Sequence, residues 1–350
     1  MKRLACGLLA MLMLTGASTP AANTLDIYFI DVEGGQATLM ITPAGESFLI
    51  DAGFPGDGTF ASQPGPPALA RDAQRILAVA RMAGVRQIDH LMVTHYHADH
   101  MGGVIELSQL LPILHFIDHA APSAEAEVIV PGTIALYDAY VTLRATGKHT
   151  EPKPGDRLPL AGVDVVVLAS AGEILATPLP GAGQPNPACT GSGEPAQEKT
   201  ENPRSTAIRV QFGAFRFLNV GDLSGAPLFA LTCPTNLIGE SDVYLVAHHG
   251  GNDGADPSLF AAVRPRVAIM NNAPRKGGQA RTFATIRSMP TIDGWQLHRS
   301  GSPTVENFPD ARVANLDEST SAWIKVSASA NGSFTVTNGR TGQSIAYPQQ

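Results

Sequence analysis

The chain has 350 residues, 44% apolar and 16% charged, which is enough apolar material for a large buried core and excludes a disordered chain or a coiled coil. Glycine (35) and proline (27) are abundant but follow no triplet period, as in a loop-rich globular protein. A formal net charge of −7 repels polyanions and argues against stable binding of nucleic acid.

Residues 1–22 read as a signal peptide. Lys2 and Arg3 precede an apolar run from Leu4 to Leu14, and small residues, Ala21 and Ala22 among them, follow. The run is too short to span a bilayer and no later segment is long and apolar enough to do so, so no membrane span is expected and the protein is expected to be secreted or periplasmic. Strands are then predicted at Leu25–Val32, Gln36–Thr42 and Glu46–Ile50, separated by glycine- and proline-bearing turns. Leu69, Ala73, Ile76, Leu77 and Ala80 recur at helical spacing ahead of Gly84. A buried strand follows at Ile88–Thr94, and further strands are predicted at Val163–Ala169, Thr206–Gln211, Phe215–Val220, Asp242–Ala247 and Val267–Asn271. Strands interleaved with helices define a layered α/β architecture, with residues 23–300 as one catalytic domain.

Ser170–Pro203 reads as one long loop. Cys189 lies in it, and with Cys233 is expected to form a disulfide in an oxidising compartment. The last segment, 301–350, is expected to be a β extension packed on the same domain. Its alternating stretch Ala322–Tyr347 carries Asn331-Gly332 and Asn338-Gly339, both hairpin turn signals.

Six of the ten histidines fall between His90 and His119, and three of them form His95-Tyr-His97-Ala-Asp99-His100 at the end of an apolar strand. In extended backbone His95 and His97 point the same way, while Asp99 and His100 lie past the bend and face a second point. Two imidazoles for one ion, and a carboxylate with an imidazole for its neighbour, suit two divalent cations: zinc, or manganese or iron. Phe217–Asp222 is a second apolar strand, and it ends in a carboxylate able to bridge two ions. Asp242–His249 is a third strand, ending in His248-His249-Gly250. His90, His115 and His119 read as structural, and Arg275-Lys276 as a solvated face.

These residues resemble the metallo-β-lactamase superfamily, whose hallmark is the His-x-His-x-Asp-His run. The resemblance implies a four-layer αββα sandwich, Asp222 as the bridging ligand, His248 or His249 as the last ligand with His248 the first choice, and Asp51 as a supporting acid. Phe29-Ile-Asp31, Gly155-Asp156, Asn202-x-x-Ser205 and His-His-Gly are similar to the branch containing the nuclease-like domain of the competence DNA-uptake channel and choline-phosphate esterases, which places Asn202 and Ser205 beside the ligands. No histidine occupies the middle-strand position where many relatives carry a further ligand. The implied reaction is hydrolysis, with Asp99 orienting or deprotonating a water and His249 donating a proton to the leaving group. The expected substrate is a small-molecule or cell-envelope phosphoester. Opening of a lactone or β-lactam, or non-catalytic metal-stabilised binding, are the other readings. The sequence does not fix an oligomeric state.

Overall fold

The structure is a computed structural model describing residues 23–190 and 198–350. The expected signal peptide lies outside the described residues. The first sheet begins with β1 (Thr24–Phe29), β2 (Thr38–Ile41), β3 (Ser47–Ile50), β4 (His90–Val93), β5 (His115–Asp118) and β6 (Lys148–Thr150). The second is built from β7 (Arg157–Leu158), β8 (Asp164–Ser170), β9 (Glu173–Ile174), β10 (Ala207–Phe212), β11 (Phe215–Asn219), β12 (Val243–Leu245), β13 (Val267–Met270), β14 (Asp293–His298) and β15 (Val313–Asn315). The chain then returns to the first sheet as β16 (Ile324–Ser329), β17 (Phe334–Asn338) and β18 (Ser344–Tyr347). The strand orders are β18-β17-β16-β1-β2-β3-β4-β5-β6 and β15-β14-β13-β12-β11-β10-β8-β7, with β9 on β8.

Alternation along the strands explains the layers. Leu25, Ile27 and Phe29 point between the sheets, where they meet Val165, Ile208, Val210, Phe217 and Ile269 of the second sheet. Tyr28, Leu39, Leu49, Leu91 and Val93 face outward under the helical layer. That layer comprises α1 (Arg71–Met82), α2 (Ala98–Met101), α3 (Val104–Ser108), α4 (Ala126–Ile129) and α5 (Thr133–Arg144). α1 buries Ala73, Ile76, Leu77 and Ala80 there, the stripe its spacing predicts. On the far side, α6 (Gly225–Ala230), α7 (Pro257–Val263) and α8 (Ala280–Arg287) cover Leu218, Val220, Tyr244 and Met270. The result is the αββα four-layer sandwich expected from the sequence.

The tail packs on the same domain as a β extension. Its two turns, at Asn331-Gly332 and Asn338-Gly339, make a three-stranded antiparallel meander that extends the first sheet, with β16 pairing β1 from Thr24↔Ser329 to Phe29↔Ile324. The physical reason is its apolar face: Ile324, Val326, Ala328, Phe334 and Val336 join the core between the sheets. Ser170–Pro203 is mostly loop, and Cys189 and Cys233 are bonded with Cα atoms 5.8 Å apart.

Candidate metal centre

Four parallel-paired strands of the two sheets end at one rim, where α/β folds place their ligands. β3 delivers Asp51, β4 leads into His95 and His97, β11 leads into Asp222, and β12 leads into His248 and His249. Asp99 and His100 ride on α2, which starts directly after His97. Close backbone approach brings the parts together. The Gln36 N–H donates to the Asp99 carbonyl at 3.0 Å, and a Cβ on Gly35 would sit 2.4 Å from that oxygen, so only glycine fits there.

The ligand atoms converge. Asp222 Oδ2 lies 3.1 Å from His100 Nε2 and 3.1 Å from His249 Nε2, and Asp99 Oδ2 lies 3.2 Å from His249 Nε2. One ligand atom each from Asp99, His100, Asp222 and His249 falls within 4.8 Å of the others, all four residues being buried. Beside this group His95 Nε2 and His97 Nδ1 face each other at 3.0 Å, with His95 Nε2 4.0 Å from Asp222 Oδ2. Asp222 Oδ1 is buried without a hydrogen-bond partner, an orphan acceptor that a cation would satisfy. The donor set therefore fits two divalent ions sharing Asp222.

Electrostatics match that use. Burial works against ionisation of Asp222, yet His100, His249 and His248 hold its carboxyl well below the usual range. Burial also opposes ionisation of Asp99, and Lys276 and His100 overcome it. Burial, reinforced by the neighbouring His100 and His97, pushes His95 well below its ordinary value, and burial lowers His97. Neutral His95 and His97 beside two carboxylates suit metal ligation. His100, against the pull of burial, is raised well above its ordinary value by Asp222, Asp99 and Asp51, and so holds a proton that a cation would displace.

The structure brings together His95, His97, Asp99, His100 and Asp222 as the motif implies, and adds His249 to them. From sequence, His248 is the first choice and His249 the alternative. Instead His249 points into the ligand group, while His248 is a third exposed, bonds Asp253 Oδ2 through Nδ1 at 2.5 Å, and keeps its Nε2 3.6 Å from Asp222. The cause is local. His248 and His249 both have left-handed backbone (φ 51° and 56°), a costly conformation held by its surroundings. It turns the second imidazole, rather than the first, toward the rim. Gly277 crosses so closely that a Cβ would lie 2.2 Å from the His249 carbonyl oxygen.

Around the ligands, Asp51 accepts from His100 Nδ1 at 2.7 Å. Asn202 lines the pocket with its Oδ1 unpartnered, and Ser205 Oγ is likewise buried and unpartnered. His119, structural from sequence, packs on Tyr96 and lies 3.4 Å from Glu201. Tyr96, between the two ligand histidines, donates to Asp118 at 3.1 Å, a buried carboxylate also held by Tyr140, Arg144 and His149. From sequence, Tyr96 and the Arg275-Lys276 pair could approach a substrate but read first as solvated, and Lys276's contact with Asp99 gives no signal there. The Lys276 ammonium bonds Asp99 and stands over the rings of Phe54 and Phe60 at 5.2 and 4.9 Å. Only its place shortly after the strand at Val267–Met270 hinted at the rim. A cavity of about 210 Å³ opens here, walled by His97, Asp99, His248 and Lys276 on one side and by Phe60, Val130 and Leu136 on the other.

A model of the metallo-beta-lactamase superfamily matches residues 31–184, the stretch carrying Asp51 and the His95–His100 run. That match, the sandwich fold and the assembled ligand set support membership of this superfamily. They also support a metal-dependent hydrolase as the class of protein. Among curated proteins none matches. Similar solved structures include the metallo-beta-lactamase fold protein YhfI from Bacillus subtilis, at 11% identity over 78% of this chain and 95% of that one, with a TM-score of 0.45. CmlA, a diiron beta-hydroxylase from Streptomyces venezuelae, shares 14% identity over 80% of this chain and 53% of its own, with a TM-score of 0.45. Igni18, a metallo hydrolase from Ignicoccus hospitalis KIN4/I, shares 15% identity over 78% of this chain and 95% of its own, with a TM-score of 0.42.

Proposed function

We propose that the protein is a secreted or periplasmic dinuclear hydrolase acting on a phosphoester or small phosphodiester. One observation carries the reading: Asp222 Oδ2 stands 3.1 Å from the His100 and His249 nitrogens and 4.0 Å from that of His95, so one carboxylate adjoins both ligand groups. Asp99, His100, Asp222 and His249 would hold one ion, and His95, His97 and Asp222 the other, zinc being the first candidate. Such ions supply a nucleophile at neutral pH and polarise the oxygen under attack.

The chain's own residues do the rest. Lys276 brings a positive charge into the pocket, which favours an anionic phosphoryl group. His248 is raised to about 9: burial works against its charge, but Asp222 and Asp253 outweigh it. His248 stands at the pocket wall, where its Nε2 can donate a proton to a leaving group; this role replaces the one expected for His249. Phe60, Val130 and Leu136 form the apolar wall. This feature favours, as a second reading, hydrolysis of an acylated lactone. The Cys189–Cys233 bond supports an oxidising compartment and hence export.

The test is a panel of bis-p-nitrophenyl phosphate, nitrocefin and an acyl homoserine lactone, with and without chelator, on wild type and Asp222→Asn. Chelator-sensitive phosphodiester turnover, lost in Asp222→Asn together with both metals, is expected. Lactone opening without phosphodiester turnover would replace the first reading with the second.

A further inference from the structure

Away from the metal centre, on the outer face of the second sheet, Arg209 of β10 lies between Val166 and Leu218 of the neighbouring strands. It is only 5% exposed. Its Nη1 donates to the Ile238 carbonyl at 2.8 Å and its Nη2 to Gln211 Oε1 at 3.4 Å. Its Nε is buried without a partner, and no acidic side chain pairs with it among the described residues. The charges on its horizon are like its own. Burial, with Arg216 and Arg157, pushes the guanidinium down to about 10. A buried cation with neither counter-charge nor full hydrogen bonding is costly.

Arg209 lines a cavity of about 410 Å³ together with Arg216, Arg264, Gln184, Asn236 and Glu240. Arg264 and Glu240 neutralise each other at 2.9 Å. Arg216, about a third exposed, is only loosely tied to Asp242 at 4.0 Å. Arg209 and Arg216 thus line the cavity, its carboxylate Glu240 being taken up by Arg264. One wall is the segment 180–187, fastened by the Gly183 N–H to the Asn236 carbonyl at 2.8 Å and followed directly by the Cys189–Cys233 cross-link. No residue lines both this cavity and the metal pocket.

We propose that this cavity is a second binding site, for a tetrahedral oxyanion: the phosphate or sulfate group of a small organic molecule. Arginine's planar fork matches such oxygens, and two arginines match a dianion better than a carboxylate. The proposal is independent of what the metal centre hydrolyses.

Inorganic phosphate, sulfate and acetate are titrated calorimetrically into zinc-loaded wild type, chelator-treated wild type and Asp222→Asn. The expected result is one phosphate per chain that persists in chelator-treated wild type and in Asp222→Asn, displaced by sulfate and not by acetate, any phosphate at the zinc-loaded centre being lost with the metals. Arg209→Gln is expected to weaken phosphate about ten- to hundredfold, the loss of charge-assisted hydrogen bonds, with zinc content unchanged. Arg216→Gln, at a partly exposed position that does not threaten folding, gives the same direction and decides the matter if Arg209→Gln does not fold. Phosphate binding that disappears entirely with the metals overturns the proposal, as does wild-type phosphate affinity in Arg216→Gln or acetate binding as tight as phosphate.

Discussion

Nδ1–H of His100 donates to Oδ2 of Asp51 at 2.7 Å, and this contact decides which imidazole nitrogen faces the centre. Asp51 is itself immobilised, because Thr94 donates its N–H to Oδ1 and its hydroxyl to Oδ2, each at 2.7 Å. With Nδ1 engaged, Nε2 is left to face Asp222 at 3.1 Å. Asp51→Ala is therefore expected to weaken zinc by about ten- to hundredfold, the usual cost of losing a carboxylate behind a ligand histidine. Competition with a zinc chelator measures it. Unaltered affinity in a folded variant would remove Asp51 from the metal's support.

The two adjacent histidines should separate cleanly. His249→Gln takes a nitrogen out of the buried group and is expected to lose the Asp99-side ion. His248→Gln is expected to keep both ions while lowering kcat. Metal content and kcat read both effects. Metal loss confined to His248→Gln would restore the order expected from sequence.

For Lys276→Met we expect KM for an anionic diester to rise about tenfold, one charge-assisted contact, with kcat changed less. A neutral lactone should show no such rise. Equal effects on the two substrates would mean that Lys276 serves Asp99 rather than the ligand.

Stability should fall in acid through the pair His90 and His115, whose Nδ1 atoms face each other at 3.0 Å. Burial, then Lys148 and His90, pushes His115 down to about 4, and burial lowers His90. Between 6.5 and about 4 the unfolded chain takes up protons that the folded chain refuses, so stability is full above that window and declines as pH falls through it. His115→Gln, which can still meet Thr150, should flatten the decline in Tm by a few degrees. An identical slope in the variant would assign the acid sensitivity elsewhere.

Reducing the Cys189–Cys233 bond, which spans 44 residues, is expected to cost about 4 kcal/mol by loop-closure entropy. Metal content should be untouched. Denaturant melts with and without reductant measure the loss, and thiol titration of the unreduced, denatured mature chain, which lacks Cys6 of the expected signal peptide, should find none free. Two titratable thiols would reject the cross-link.

What the sequence made legible follows from how local each feature is. His95, His97, Asp99 and His100 sit within six residues on one strand end, and Asp222 ends an uninterrupted apolar strand, so pattern alone located them. The orientation of His248 and His249 depends on two left-handed residues, for which neither side chain gives a signal. Lys276 reaches Asp99 across a sequence separation of 177, beyond any periodicity. β14 escaped notice because its buried face includes Gln296 and His298. These polar residues are tolerated there because His298 bonds the equally buried Asp31 at 2.8 Å, a pairing only the fold creates.

The pairing of β1 with β16 also sets a timetable for synthesis. The strand that opens the fold presents a bare edge until nearly 300 further residues have left the ribosome, since its partner ends at Ser329. Every earlier nascent chain thus displays an unpaired, apolar ribbon of the kind that recruits neighbours. Contacts this distant in sequence form slowly. A chain released at residue 300 would keep all the proposed metal ligands and still be expected to aggregate, because Leu25, Ile27 and Phe29 would lose Ile324, Val326 and Ala328 from the core they share.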